Sequence, residues 1–450
     1  MDAVRAVWIF LTLAILFLAQ IKAENEFVIR WCVVNSAEKM KCEILKDNLK
    51  LISQQNNAFA AKVKKYELIC QERKDIFDCM NNIQKNNVDL ITLDPGQGFY
   101  ASKYHNMRPI MAEMYNTDSD RLKFYAVAVI NSVSNIDINS MQNKKVCFPG
   151  IGNGAGWIYP ISTLIDKNLL KIIECNAIVK TVSAFFSSTC LPGGLSAFYN
   201  QLGNNPNKIC ELCDGYGDDH CTTSDPYAGY DGAFRCLERG IGDIAFVRDN
   251  TVALMLQNNT GAMSNFKLLC PFGSHMPLDQ YKNCNWGKIP SHVIMASGTK
   301  TAEEIQPLKD FLILIDELFG VNGRFKNQFF LYNSNSVPMH GRMNLLFTDG
   351  TIGLEDLGKK DTDYTWIGDD FHKKLSSLNR CPLRTARWCV ISLAEKTKCE
   401  DMLMALRAKN IKPDLDCILA ENAIGCMKLI ASGDADIVNL DAGDIYTAGK

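Results

Sequence analysis

The side chains of this sequence with the greatest intrinsic reactivity are its 18 cysteines. A thiolate can attack an electrophile, a set of thiolates can hold a soft metal, and two thiols can oxidise to a disulfide. Cys210-Glu-Leu-Cys213 has the spacing of a redox pair or of half a zinc site. A second chemistry is offered by the glycine-rich run CFPGIGNGAGW (147–157), in which Gly150-x-Gly152-x-x-Ala155 formally fits a dinucleotide fingerprint. A glycine turn entering a helix also presents free backbone N–H groups to an anion. No G-x-S-x-G, H-E-x-x-H or thiol–imidazole nucleophile pattern accompanies these features. An enzyme is therefore not expected.

The compartment decides among the cysteine chemistries. Arg5, the apolar stretch AVWIFLTLAILFLA (6–19) and Ala23 ahead of a charged Glu24-Asn25-Glu26 have the layout of a secretory signal peptide over residues 1–23. That stretch is too short and wrongly flanked for a membrane span, and no later segment approaches ~18 uninterrupted apolar residues. The mature chain is expected to be secreted and extracellular, with its cysteines oxidised; in that setting the dinucleotide fingerprint is rejected. Asn258-Asn259-Thr260 is an N-glycosylation sequon, so a glycoprotein is expected. Lys+Arg 48 against Asp+Glu 50 leaves no basic excess, which excludes a general nucleic-acid binder.

The elements that must position any site alternate along the chain. LKFYAVAVI (122–130), KKVCF (144–148), GDIAFV (242–247) and SHVIMAS (291–297) read as strands, most of them too apolar to face water on either side. TAEEIQPLKDFLILIDELFG (301–320) reads as a helix with Thr301 as N-cap, Glu304 three residues on and Gly320 at its end. A further helix is expected from Gly154 to Lys167, opening from the glycine-rich turn. This alternation argues α/β layers with ligands in a cleft. Residues 203–229 are polar, turn-rich and cysteine-dense, and read as a stapled loop.

The chain also repeats itself. Arg30-Trp-Cys-Val33 recurs as Arg387-Trp-Cys-Val390, and Ala37-Glu-Lys-Met-Lys-Cys-Glu43 as Ala394-Glu-Lys-Thr-Lys-Cys-Glu400. Cys79-Met80 matches Cys426-Met427, and VDLITLDPG (88–96) matches ADIVNLDAG (435–443). An offset of roughly 350 residues far exceeds the period of a solenoid. It implies two large homologous lobes, the second represented only by its start.

RWCVVNSAEKMKC, DLITLDPG, FYAVAVI, the turn before AGW, YDGAFRCLERGIGDIAFVR, LDQYKNC and IPSHV occur in this order, and together they resemble the transferrin family. The resemblance covers a first lobe to residue 381 and residues 387–450 as the truncated start of a second. It implies a periplasmic-binding-protein-like lobe of two α/β subdomains around a hinged cleft. Subdomain 1 would span about 24–122 and 290–381, and subdomain 2 about 123–289. The implied cargo is Fe3+ bound together with carbonate or bicarbonate, and a cell-surface receptor is an implied partner.

Residue by residue, Asp94 in LDPG, Tyr230 in GYDGAF and His292 in IPSHV match the family's metal ligands, while Ala155 and Gly156 match the anion-binding helix start. Ferric iron is small and hard and favours anionic oxygen with one or two imidazoles. Carbonate wants N–H donors and a cation. Four positions are doubtful or substituted. The first family tyrosine is here Phe124, and its neighbour Tyr125 faces the opposite side of a strand. Pro149 stands for a hydroxyl donor and Asn153 for an arginine. Arg248 occupies a position where the family often has a lysine. The resemblance further implies the disulfides Cys32–Cys79, Cys42–Cys70, Cys147–Cys236, Cys175–Cys381, Cys190–Cys213, Cys210–Cys221, Cys270–Cys284, Cys389–Cys426 and Cys399–Cys417. Two readings follow: an iron carrier or sequesterer with a partly degraded site, or a binding scaffold of the same fold that has lost iron.

Overall fold

The computed structural model describes residues 27–55, 58–173, 177–200, 203–335, 337, 341–358, 360, 362–379, 385–409, 411 and 413–449. The expected signal peptide and the Cys175–Cys381 pair lie outside the described residues. The chain divides into two compact units, one running to Leu169 and resuming over Val182–Leu375, the other formed by Leu170–Thr181 and the residues from Ser376 onward. The division falls within the helix Ile178–Phe185.

The larger unit is α/β and holds two sheets. The first has six strands in the order Gly353–Asp356, Met107–Met114, Val293–Ser297, Leu90–Leu93, Phe27–Val33, Tyr66–Glu72. Its two faces are covered separately. Ile29, Trp31 and Leu68 pack with Phe311, Ile315 and Phe319 of the helix Ala302–Phe319. Met80, Ile91 and Met295 form the cluster on the other side. The second sheet runs His275–Met276, Phe266–Leu269, Lys123–Asn131, Ile244–Arg248, Lys145–Cys147, Ser188–Cys190, with Gly287–Pro290 also paired to Lys123–Asn131. The chain passes between the sheets twice, after Met114 and after Pro290, and the passes touch where Ser291 N–H donates to Leu122 O at 2.9 Å.

The expected elements form where hydrophobic period and caps coincide. Thr301 closes a capping box with Glu304, and the helix ends at Gly320. The helix expected from Gly154 opens instead as a wide π turn, Gly154–Ile158, before α geometry begins at Tyr159–Asp166. The stapled loop is tied by Cys190–Cys213 and Cys210–Cys221. Buried Asp225 serves it as a small polar core, accepting from the backbone N–H groups of Gly215, Cys221 and Tyr227, each at 2.9 Å. Cys32–Cys79, Cys42–Cys70, Cys147–Cys236 and Cys270–Cys284 also form. No cysteine is free among the described residues. None of the described helices is long and apolar enough to cross a membrane.

One buried charge stands out in this unit. Lys41, on the helix Ser36–Ser53, is fully buried and donates to Leu345 O at 2.8 Å. Burial lowers its ammonium to about 8, although Asp349, Glu113 and Glu38 pull the other way. The unfolded chain thus holds this proton more tightly, and the folded state gains stability as pH rises from about 8 toward the ordinary lysine value. Below that window the cost is roughly 3 kcal/mol. Lys41→Met is expected to abolish this pH slope, while at pH 7 relief of the buried ammonium is offset by loss of the cation facing Asp349, Glu113 and Glu38, leaving a net change of no more than about 1 kcal/mol. Urea unfolding of both proteins at pH 7 and pH 9.5 checks it.

The smaller unit contains Thr385–Val390 between Asp414–Leu419 and Ile437–Val438, all parallel. It reproduces the pairing of Phe27–Val33 with Tyr66–Glu72 and Leu90–Leu93 in the larger unit. Cys389–Cys426 and Cys399–Cys417 staple it, and Asp441 caps the helix Ala442–Ala448 as Asp94 caps Pro95–His105.

Candidate metal centre

Asp94 follows the buried strand Leu90–Leu93 and N-caps the helix Pro95–His105, with Pro95 at the first position and Gln97 completing a capping box. A cap uses one carboxylate oxygen, and this one does more. Oδ1 accepts from Gly96 N–H at 3.0 Å and, from an element of the other sheet, from Gly154 N–H at 2.7 Å. Oδ2 accepts the Tyr230 hydroxyl at 2.7 Å and lies 3.6 Å from His292 Nε2. Gly96 has no alternative: a Cβ there would stand 1.9 Å from Gly152 O.

Tyr230 enters in the first turn of the helix Gly229–Glu238, which Cys147–Cys236 fastens to the second sheet. Gly229 has φ +80°, the left-handed region that glycine tolerates, and its N–H donates to Pro149 O at 2.8 Å. The Tyr230 phenol is held well above its ordinary value by burial and by Asp94, against the Ala155 N–H that faces its oxygen. His292 sits just ahead of the strand Val293–Ser297 rather than within it. Its Nδ1 meets Tyr115 OH at 2.9 Å. Burial first, and the nearby charge of Arg248 second, hold the imidazole well below its usual value, so it is neutral and able to donate a lone pair at neutral pH.

Three residues far apart in sequence are therefore gathered around one carboxylate. Asp94 itself is buried, and its carboxyl is pushed up by desolvation against the bonds from Tyr230, Gly154, Gly96 and Asn153. Phe124 is only 2% exposed and faces the same space. Its ring stacks on His292 at 5.5 Å and meets Tyr230 edge-on at 6.5 Å. Tyr125 is on the opposite face, against Tyr281 at 5.5 Å, with Lys288 Nζ 5.6 Å from its ring, so it does not substitute.

The anion turn departs in the same direction. The Pro149 ring occupies the space beside Gly156, where a Cβ would lie 1.9 Å from Pro149 Cγ. Asn153 makes no side-chain cap to the π turn, and its amide faces Asp94. Of the helix-start donors, Gly154 N–H is engaged by Asp94 and Ala155 N–H by the Tyr230 oxygen; Gly156 is buried behind them.

Sequence reasoning missed the layer behind His292. Glu113 is completely buried and accepts from Tyr115 OH at 3.2 Å, from Thr351 Oγ1 at 2.6 Å and from the Thr348 hydroxyl. Arg248, 4% exposed, lies with its guanidinium carbon 3.6 Å over the Tyr115 ring and 4.8 Å from Phe124, and donates to Thr348 Oγ1 at 3.0 Å. Tyr115 thus connects the imidazole to a buried carboxylate, which fixes the ring's orientation. The signal available in sequence was a glutamate inside MRPIMAEM, a strand whose one other charged residue is Arg108.

Together these groups supply one carboxylate, one phenol and one imidazole in a desolvated pocket. That donor set suits a hard or borderline cation. Residues 29–380 and 386–450 match the transferrin family model. The chain is 33% identical to serotransferrin of Sus scrofa over 94% of its own length and 58% of that protein. It is 32% identical to ovotransferrin of Gallus gallus over 95% of its length and 57% of that protein. Transferrin 2 of Drosophila melanogaster is 31% identical over 93% of the chain and 58% of that protein. The chain spans little more than half the length of these curated relatives. On the motif order, the internal repeat, the disulfide framework and these matches, this chain belongs to the transferrin family.

Proposed function

We propose that this chain is a secreted protein that carries or sequesters Fe3+, as the name and family of its relatives suggest, and that it is not an enzyme. The observation that supports this reading is the convergence of Asp94, Tyr230 and His292. A carboxylate, a phenolate and a neutral imidazole would each give one donor to the ion. A trivalent cation would take the place of the Tyr230 phenol proton between that oxygen and Asp94 Oδ2, the proton leaving to solvent. The passes after Met114 and after Pro290 would act as the hinge of a two-subdomain lobe, opening to admit cargo. Carbonate, the anion the family resemblance implies, would have to displace the Tyr230 oxygen from the Ala155 N–H to rest on the Ala155 and Gly156 end of the turn. Acid would reverse binding by protonating carbonate and His292. The exposed Asn258 is a proposed glycosylation site, and a cell-surface receptor a proposed partner.

The test is titration with ferric iron in bicarbonate buffer, read by the phenolate-to-iron charge-transfer band. The protein is expected to develop the band, and Tyr230→Phe to remove it while keeping the fold. If the unaltered protein shows no band and retains no iron, the carrier reading fails. The second reading, a scaffold of this fold without iron, is favoured by Phe124, whose apolar ring packs against both His292 and Tyr230.

A further inference from the structure

Resting on the iron-binding reading, we infer that the ferric ion here is completed by a small monoanionic oxygen chelator of the hydroxamate class, taken up with the metal, rather than by carbonate. Donor arithmetic comes first. With Asp94, Tyr230 and His292 each giving one atom, about half of an octahedral shell is left to others, and Phe124 contributes nothing to it. The small-anion cradle is also poorly furnished. Pro149 brings no hydroxyl, Asn153 brings no charge and faces Asp94, and the N–H groups of Gly154 and Ala155 already serve Asp94 and Tyr230.

Space and charge then indicate what replaces it. The three donors line a cleft of about 850 Å3. That lies in the range of roughly 300–1,000 Å3 typical of organic ligands, whereas a single water takes only about 30 Å3. Phe77 and Leu195 give the wall apolar surface for a carbon skeleton. Apart from Asp94, its charged side chains lean acidic, Glu38, Asp75, Glu113, Asp218, Asp219 and Asp231 against Lys74 and Arg342, which disfavours a polyanion such as citrate. A hydroxamic acid loses one proton on binding, as Tyr230 does. Fe3+ with one carboxylate, one phenolate and one hydroxamate then carries no net charge, the state that burial penalises least. Two chelating oxygens leave one position for water, and no oxidant or reductant is needed.

The experiment is equilibrium dialysis of the full chain with radiolabelled iron in three arms: bicarbonate alone, acetohydroxamate without bicarbonate, and citrate without bicarbonate. Labelled hydroxamate is counted separately from iron. The expected result is retention of iron and acetohydroxamate in equal amounts, with iron held at least about tenfold more tightly than in bicarbonate. Leu195→Trp, which narrows the cleft away from the donors, is expected to weaken retention of the bulkier benzohydroxamate more than that of acetohydroxamate. Iron held equally well in bicarbonate, or iron retained without hydroxamate, overturns the inference and leaves the carrier reading standing. Preference for citrate overturns the charge argument and with it the ligand class. Iron lost in every arm removes the carrier reading as well.

Discussion

Phe124→Tyr is expected to tighten ferric binding in bicarbonate by about ten- to a hundredfold. The ring already occupies the right space, buried, stacked on His292 at 5.5 Å and 6.5 Å from Tyr230. A hydroxyl on that ring adds an anionic oxygen, and a charge-assisted contact contributes roughly 1.5–3 kcal/mol, which is one to two decades in affinity. A strengthened charge-transfer band and a lower dissociation constant measure the gain. Tyr125→Phe is the control and should change neither, because that ring faces Tyr281. The new oxygen enters a packed space, with Arg248 4.8 Å from the ring. Thermal melts without iron are therefore expected to show a modest loss, about 1–3 kcal/mol at most. Unchanged affinity in a folded Phe124→Tyr protein would mean that the fourth side-chain position is not a ligand position in this lobe.

The second large effect concerns the layer behind the imidazole. Arg248→Met is expected to destabilise the fold by about 3–5 kcal/mol. It removes a cation whose charge, after the hydroxyls of Thr348 and Thr351, offsets the desolvation of fully buried Glu113, and leaves Lys41 as the other cation facing that carboxylate. Thr348 and Thr351 still donate to that carboxylate, but neutral hydroxyls do not balance a buried charge. Glu113→Gln in the same chain removes the orphaned charge and should recover more than half of the loss. Urea unfolding of both single variants and the double variant forms the cycle. Additive losses would show that the two residues act independently and that Arg248 serves mainly as a cover over Tyr115.

Much of this architecture is local and hence readable in one dimension. Asp94 precedes Pro95 at a strand end, so the same residue types that make a cap also mark a ligand position. Thr301, Glu304 and Gly320 bound their helix by capping chemistry alone. Phe124 and Tyr125 could be assigned to opposite faces because side chains alternate along a strand. Other features depend on contacts that no periodicity encodes. The π turn at Gly154 arises because Asn153 O accepts from both Trp157 N–H at 3.0 Å and Ile158 N–H at 2.9 Å, a choice made by packing against Asp94 and Pro149. Thr348 and Thr351 reach Glu113 from a segment without regular structure more than two hundred residues away. Tyr115 follows the strand Met107–Met114 with no local pattern that marks it as the partner of His292 and Arg248.

Gly96 carries a consequence for how such a lobe can change over time. Its missing side chain lets the helix that Asp94 caps lie directly on the carbonyl of Gly152. A single methyl group at position 96 would act as a wedge. The helix start and the Gly152 turn would be forced apart by more than an ångström, since about 3 Å is the nearest approach a carbon tolerates to an oxygen. The carboxylate that spans the gap would then lose its grip on Gly154 and Tyr230 with every donor residue still in the sequence. Substitutions that spare all the ligands can therefore still silence the site, and the first place to look for such silent loss in kindred chains is this pair of glycines.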